Sequence, residues 1–144
     1  MIARRYVIRF SRSANEKLLA ILPPSIKFVL ISNVGIGDSR QYQNVILRHF
    51  LLDFVMKGIV KDKEAAEAAL AESDIVKWTA LRAGHLVNRL ENLEKVEFVD
   101  LQHAKISSKV SREDIAAVAL KLVEDGYGNK YWGRAISLVS GRGK

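Results

Sequence analysis

Three short apolar runs rich in β-branched residues, at 27–32 (KFVLIS), 75–81 (IVKWTAL) and 135–139 (AISLV), alternate with segments that carry helix signals. A strand that is apolar on both faces must be covered on both, and strands joined by helical crossovers run parallel with right-handed connections. The expected fold is therefore α/β, a parallel sheet with flanking helices.

The helix signals are local. Ser13, with Glu16 three residues on, forms a capping box for a helix to about Leu22, which Pro23 and Pro24 end. Residues 62–71 (DKEAAEAALA) are strong helix formers, and Asp62 sits near the positive end of the helix dipole. Ser111 and Asp114 make another capping pair; Ile115, Val118, Ala119, Leu122 and Val123 then share one face, and Gly126 ends the run. Residues 6–10 (YVIRF) and 95–99 (KVEFV) read as short strands. Residues 44–56 (NVILRHFLLDFVM) are apolar on nearly every side. A helix there needs covering by a second copy of the chain or by a protein partner if the fold leaves it bare.

With 144 residues, 49% of them hydrophobic, the chain can bury the core of one domain, and the segment 87–93 is too short to separate two. A single domain over 1–144 is expected. The absence of cysteine excludes disulfides, thiolate metal sites and cysteine nucleophiles, and fits a reducing, cytoplasmic location. His49 and His103 have no carboxylate or histidine at metal-ligand spacing, so no metal site is expected. No stretch reaches the roughly 20 apolar residues that cross a bilayer. The opening MIARRYVIRFSRS shares the Arg- and Ser-rich, acid-poor composition of a mitochondrial presequence, but a strand with a basic edge accounts for it better. The net charge of +7 suggests nucleic acid, yet the cations are scattered, from Arg4, Arg5, Arg9 and Arg12 to Arg134, Arg142 and Lys144. No aromatic-interleaved motif accompanies them, and a solvated surface is the expected reading.

Four segments in order resemble the second half of the atypical short-chain dehydrogenase/reductase family, which includes NmrA-like proteins and the flavin reductase and biliverdin reductase B type. KFVLISNVGIGDS resembles the family's V-L-I-S-S strand and its glycine-containing turn. KEAAEAAL followed by IVKWTALRAG resembles the K-x-x-x-E-x-x-L helix and a strand ending W-T-I-x-R-P-G. VSREDIAAVALKLVED resembles the helix beginning I-S-R-x-D-V-A, and ISLVSG the strand that closes most members. The likeness covers residues 27–141. It implies a Rossmann-like NAD(P)-binding domain, with NADP or NAD as cofactor. The family opens with a strand, a glycine loop and a helix whose N-terminus holds the pyrophosphate. Nothing before Lys27 resembles that opening, so the resemblance implies a domain truncated at its N-terminal nucleotide-binding half. Gly35-Ile36-Gly37 lacks the third glycine and follows a strand that matches a later one in the family.

In the superfamily a tyrosine four residues before a lysine donates the proton, the lysine lowering its pKa and holding the ribose. Lys63 matches that lysine, Ile59 stands in the tyrosine's place, and Tyr42 is too far along the chain to be the motif's tyrosine. No catalytic acid is expected. Lys63 stays a candidate for ribose binding, against an ordinary lysine in a charged first helical turn. Ser32 and Asn33 end a strand at the edge where ligands bind in open α/β sheets, and Gly35 follows in the turn. Arg82, Ala83 and Gly84 occupy the R-P-G position, whose backbone the resemblance places beside the nicotinamide. These seven residues are the cofactor-binding candidates. His85 is the candidate for contacting substrate, since its ordinary pKa lies near neutrality.

The resemblance implies an NAD(P)H-dependent reductase passing hydride to a small acceptor such as a flavin or quinone, which takes its proton from solvent. The alternative is a regulatory or interaction module that keeps the NAD(P)-binding fold without catalysis, or an inactive truncated product.

Overall fold

The structure is a computed structural model, and it describes residues 7–8, 12–49, 55–88, 95–99, 109–124 and 127–141. In chain order the elements are β1 (Val7–Ile8), α1 (Arg12–Leu19), β2 (Lys27–Asn33), α2 (Val45–Leu47), α3 (Lys57–Ala71), β3 (Lys77–Ala83), β4 (His85–Val87), β5 (Lys95–Val99), β6 (Lys109–Ser111), α4 (Arg112–Val123) and β7 (Arg134–Gly141). Short 3-10 helices lie at Gly37–Tyr42 and Tyr127–Lys130.

The three apolar runs form the centre of one sheet. Strands β1, β2, β3 and β7 run parallel in that order, and β5 adds antiparallel outside β7. Both faces of β2 and β3 are covered, as their composition requires. On one face α3 packs Ala66 and Leu70 over Phe28, Leu30 and Ala80. On the other, α4 packs Ile115, Val118, Ala119 and Leu122 over Val29, Leu81 and Leu138. Leu30, Leu81, Leu122 and Leu138 are at most 1% exposed. Burying each such leucine contributes roughly 1.5–3 kcal/mol.

The caps of α4 are those its sequence predicts at one end and a long-range contact at the other. Ser111 Oγ accepts from the Asp114 amide at 3.0 Å and donates to Asp114 Oδ2 at 2.6 Å. At the C-terminal end Lys27 Nζ donates to the Val123 carbonyl at 2.7 Å, placing a cation where the helix dipole is negative. Gly128 lets the chain turn back beneath this helix: a Cβ there would lie 2.1 Å from the Leu122 carbonyl oxygen and 2.5 Å from the Trp132 ring.

The structure departs from expectation in several places. Helix α3 starts at Lys57, five residues before Asp62, because Val60 finds a buried place against Ile36. The run 44–56 is not one described helix. Asn44 caps the single turn α2 by accepting from the Ile46 amide at 2.9 Å, and residues 50–54 lie outside the described residues. Val45, Ile46 and Val55 are 59%, 78% and 58% exposed, with no cover among the described residues. The strand expected at 75–81 is shifted to Lys77–Ala83, since Ile75 is spent packing under α3. Strands β4 and β6, three residues each, pair in parallel and were too short to show a period. Gly126 and His103 lie outside the described residues, and no described helix is long and apolar enough to cross a membrane.

Candidate cofactor and substrate site

The C-terminal end of β2 opens onto a cavity of about 280 Å³. Parallel strands bring their carboxyl ends to one edge, where the following loops diverge and leave a crevice. Ile31 and Asn33 of β2 form its base, Ile59 and Lys63 of α3 one side, and Leu86 of β4 with the start of α4 the other.

Lys63 is the best-placed of the predicted residues. Because α3 begins early, Lys63 falls in its second turn and is half-buried, rather than being a solvated lysine of the first turn. Its Nζ donates to the Ile31 carbonyl at 2.9 Å, which holds the ammonium at the cavity. Ile59, one turn earlier, lines the same cavity. Residues four apart on a helix share a face, so the place of the superfamily's tyrosine and that of its lysine both border the cavity, and the first is aliphatic.

Asn33 lines the cavity as expected, but Ser32 does not. Alternation along β2 turns Ser32 to the α3 face, in register with Arg82 and Ser137 on the neighbouring strands. The Ser32 and Ser137 hydroxyls are buried with no hydrogen-bond partner among the described residues.

Arg82 is likewise turned away from the cavity. Only 5% exposed, it donates through Nε and Nη2 to Glu67 of α3, at 3.1 and 2.7 Å, and through Nη1 to Asp38. Burial alone would lower its pKa, but the hydrogen bonds and charges of Glu67, then Asp38, outweigh that and hold it above the ordinary arginine value. The side chain is a structural tie between β3, α3 and the loop after β2. Ala83 is part of the core under α4, and its carbonyl accepts from the Val34 amide at 2.9 Å. Gly84 is half-buried at the strand end. His85 is exposed on β4, pairs in register with Lys109, and is not among the described lining residues, whereas its neighbour Leu86 is.

The loop of Gly35 and Gly37 has its amides engaged within the protein. Gly35 N–H donates to Ser39 Oγ at 2.9 Å, and Gly37 N–H donates to Glu64 Oε1 at 3.2 Å. Ser39 Oγ in turn donates to the Ile36 carbonyl at 2.7 Å. Amides bound to a serine and a carboxylate, with Asp38 beside them, make a turn and not a phosphate cradle. The Gly35 amide is thus engaged within the turn, and Gly35 is not among the cavity's lining residues. Sequence reasoning missed Leu86, Arg112, Ala116 and Ala119, which line the cavity; α4's capping signal located the helix but not which of its faces borders an opening. His49 is exposed beside Arg48, and among the described residues no three potential metal ligands cluster.

A parallel α/β sheet with an opening at its carboxyl edge and a lysine anchored there has the form of a nucleotide-binding domain. The chain belongs to the family described as NAD(P)H-binding, which matches residues 25–126. Its fold is similar to that of ChuY from E. coli CFT073, with a TM-score of 0.73 and 20% identity over 93% of this chain and 63% of that one. A second ChuY structure, from Escherichia coli O157:H7 and described as an anaerobillin reductase, gives 0.64 and 19% over 92% of this chain and 72% of that one. A short-chain dehydrogenase/reductase from Veillonella parvula in complex with NADP gives 0.70 and 20% over 90% of this chain and 58% of that one. The chain thus spans less than two thirds of the length of the first of these. No curated protein matches it in sequence.

Proposed function

We propose that this chain forms the nicotinamide-and-acceptor side of an NAD(P)H-dependent reductase acting on a small apolar acceptor such as a flavin or quinone. The observation that carries the reading is the cavity at the carboxyl edge of β2, with Lys63 held against the Ile31 carbonyl and Ile59 in the place of a proton donor. The donor set fits the nicotinamide ribose end of the cofactor: Lys63 and Asn33 offer hydrogen bonds, and the backbone at Ala83 and Gly84 closes the adjoining strand end. When bound, the cofactor supplies a hydride, two electrons and a proton transferred together.

Lys63 binds and orients, its reach limited by the carbonyl that holds it. The aliphatic side chains of Ile31, Ile59 and Ile115 exclude water from the acceptor's face and set its distance, the part of catalysis that positioning provides. The Ile59 side chain cannot give a proton, so the reading favours an acceptor whose reduced form is protonated by solvent over a carbonyl that needs an acid at hand.

The exposed Val45, Ile46 and Val55 favour a second reading, in which this NAD(P)-binding fold works through a protein partner or a second copy and turns nothing over. One pair of measurements separates the two. Melting temperature is followed with NADPH and NADH up to millimolar concentration, and NADPH oxidation is followed with a flavin and a quinone. The reductase reading expects a raised melting temperature and acceptor-dependent oxidation. Stabilisation without oxidation would leave the regulatory reading, and no stabilisation would overturn both for this chain.

A further inference from the structure

The described walls of the cavity are of two kinds. Six of the nine side chains are aliphatic, none is acidic, and two are cationic, Lys63 on the α3 side and Arg112 on the α4 side. Lys63 is committed to the Ile31 carbonyl. Among the described residues Arg112 is paired with no charge. Its Nη1 donates to Asn88 Oδ1 at 2.9 Å, a neutral amide that orients the guanidinium without neutralising it. Its nearest acidic neighbours along the helix give it no ion pair: Asp114 is engaged by Ser111, and Glu113 is exposed. An arginine fixed by a neutral partner at the rim of an apolar cavity keeps a full positive charge and most of its planar fork for an incoming group.

We propose that the cavity selects an apolar acceptor carrying an acidic group, a carboxylate, sulfonate or phosphate, with the aliphatic walls covering the ring system and Arg112 pairing with the acid. The inference deepens the acceptor-site reading above and rests on it. Arg112 acts as a specificity residue. The charge-assisted fork favours planar, bidentate anions, and the apolar interior penalises an anion anywhere but at the rim. Ala116 and Ala119, small residues on the first turns of α4, leave the room that the ring system occupies.

The test uses two fluorescent probes with the same rings, anilinonaphthalene sulfonate and neutral phenylnaphthylamine, titrated into the whole chain without cofactor. Wild type should bind the sulfonate about tenfold more tightly, a difference of about 1.4 kcal/mol, and the preference should shrink as salt is raised. Arg112→Gln, at an exposed position, should abolish the preference and leave the neutral probe's affinity unchanged; Arg112→Lys should restore part of it. Ala116→Trp, which fills the cavity, should remove binding of both probes. A preference that survives Arg112→Gln, or binding that survives Ala116→Trp, would overturn the proposal. Neither readout involves NADPH, so failure here is distinguishable from failure of the cofactor reading.

Discussion

Lys63 Nζ and the backbone carbonyl of Ile31 are joined at 2.9 Å, a side-chain bond that ties the second turn of α3 to the strand it crosses. The bond joins the scaffold to the site. It makes the ammonium a fixed part of the cavity's edge, although lysine side chains are ordinarily mobile.

Lys63→Met keeps the aliphatic stem and removes the donor. The variant should lose about 0.5–1.5 kcal/mol of stability, measured by urea unfolding, from the one hydrogen bond. Its affinity for NADPH, measured by calorimetry, should fall about tenfold. A loss of stability without a change in affinity would reduce Lys63 to a scaffold role.

Ser32 and Asn33 are adjacent but should behave differently. Ser32 carries a buried hydroxyl with no partner among the described residues, so Ser32→Ala should be neutral or stabilising by up to about 1 kcal/mol, with unchanged NADPH affinity. Asn33→Ala should weaken NADPH binding at unchanged stability. Reversal of that pattern would return Ser32 to the site.

Arg82 holds Glu67 and Asp38 from a nearly inaccessible position. Arg82→Gln leaves the largely buried Glu67 carboxylate, 13% exposed, without its cation, and should cost about 3–5 kcal/mol in a denaturation series. Arg82→Lys cannot reproduce the fork and should cost about 1–3 kcal/mol. The pKa of Arg82 is raised in the folded state, so its contribution is complete below the ordinary arginine value and is lost only as pH rises through the still higher folded one. The loss of this charge therefore lies in strong alkali, and between about pH 7 and about pH 10 titration of Arg82 should remove none of the stability that separates wild type from Arg82→Gln.

Two glycines are required by their surroundings. Gly37 has φ of +51°, and a Cβ there would stand 2.9 Å from Arg82 Nη2. Gly37→Ala should cost about 1–2 kcal/mol from the left-handed backbone alone. At Gly128 the obstacle is backbone, the Leu122 carbonyl, so Gly128→Ala should cost more than about 2 kcal/mol. Thermal unfolding of both variants checks the order.

The parallel sheet was legible because each central strand is apolar on both faces and the strands alternate with helix signals. That Lys63 and Asn33 lie at the cavity was legible because chain order ties them to a strand end and a helix that recur together. Ser32, Arg82 and Gly35 misled for a common reason. Sequence adjacency places a residue near a strand's edge but does not say which way alternation turns it, nor that a glutamate one turn past Lys63 will claim the arginine. Leu86 and Arg112 could not be found that way, since β4 and β6 are three residues long and come together across the segment 88–108. The exposure of Val45 and Ile46 was foreseen as a need for cover, and the described residues leave it unmet.

The most direct test of the central claim, that the cavity beside Lys63 receives the nicotinamide end of NAD(P)H, is saturation-transfer NMR with NADPH on the wild type and on Ala116→Trp. The account predicts that the nicotinamide ring and its ribose protons receive saturation in the wild type and lose it in the variant. Saturation confined to the adenine protons, or equal in the two proteins, would contradict it.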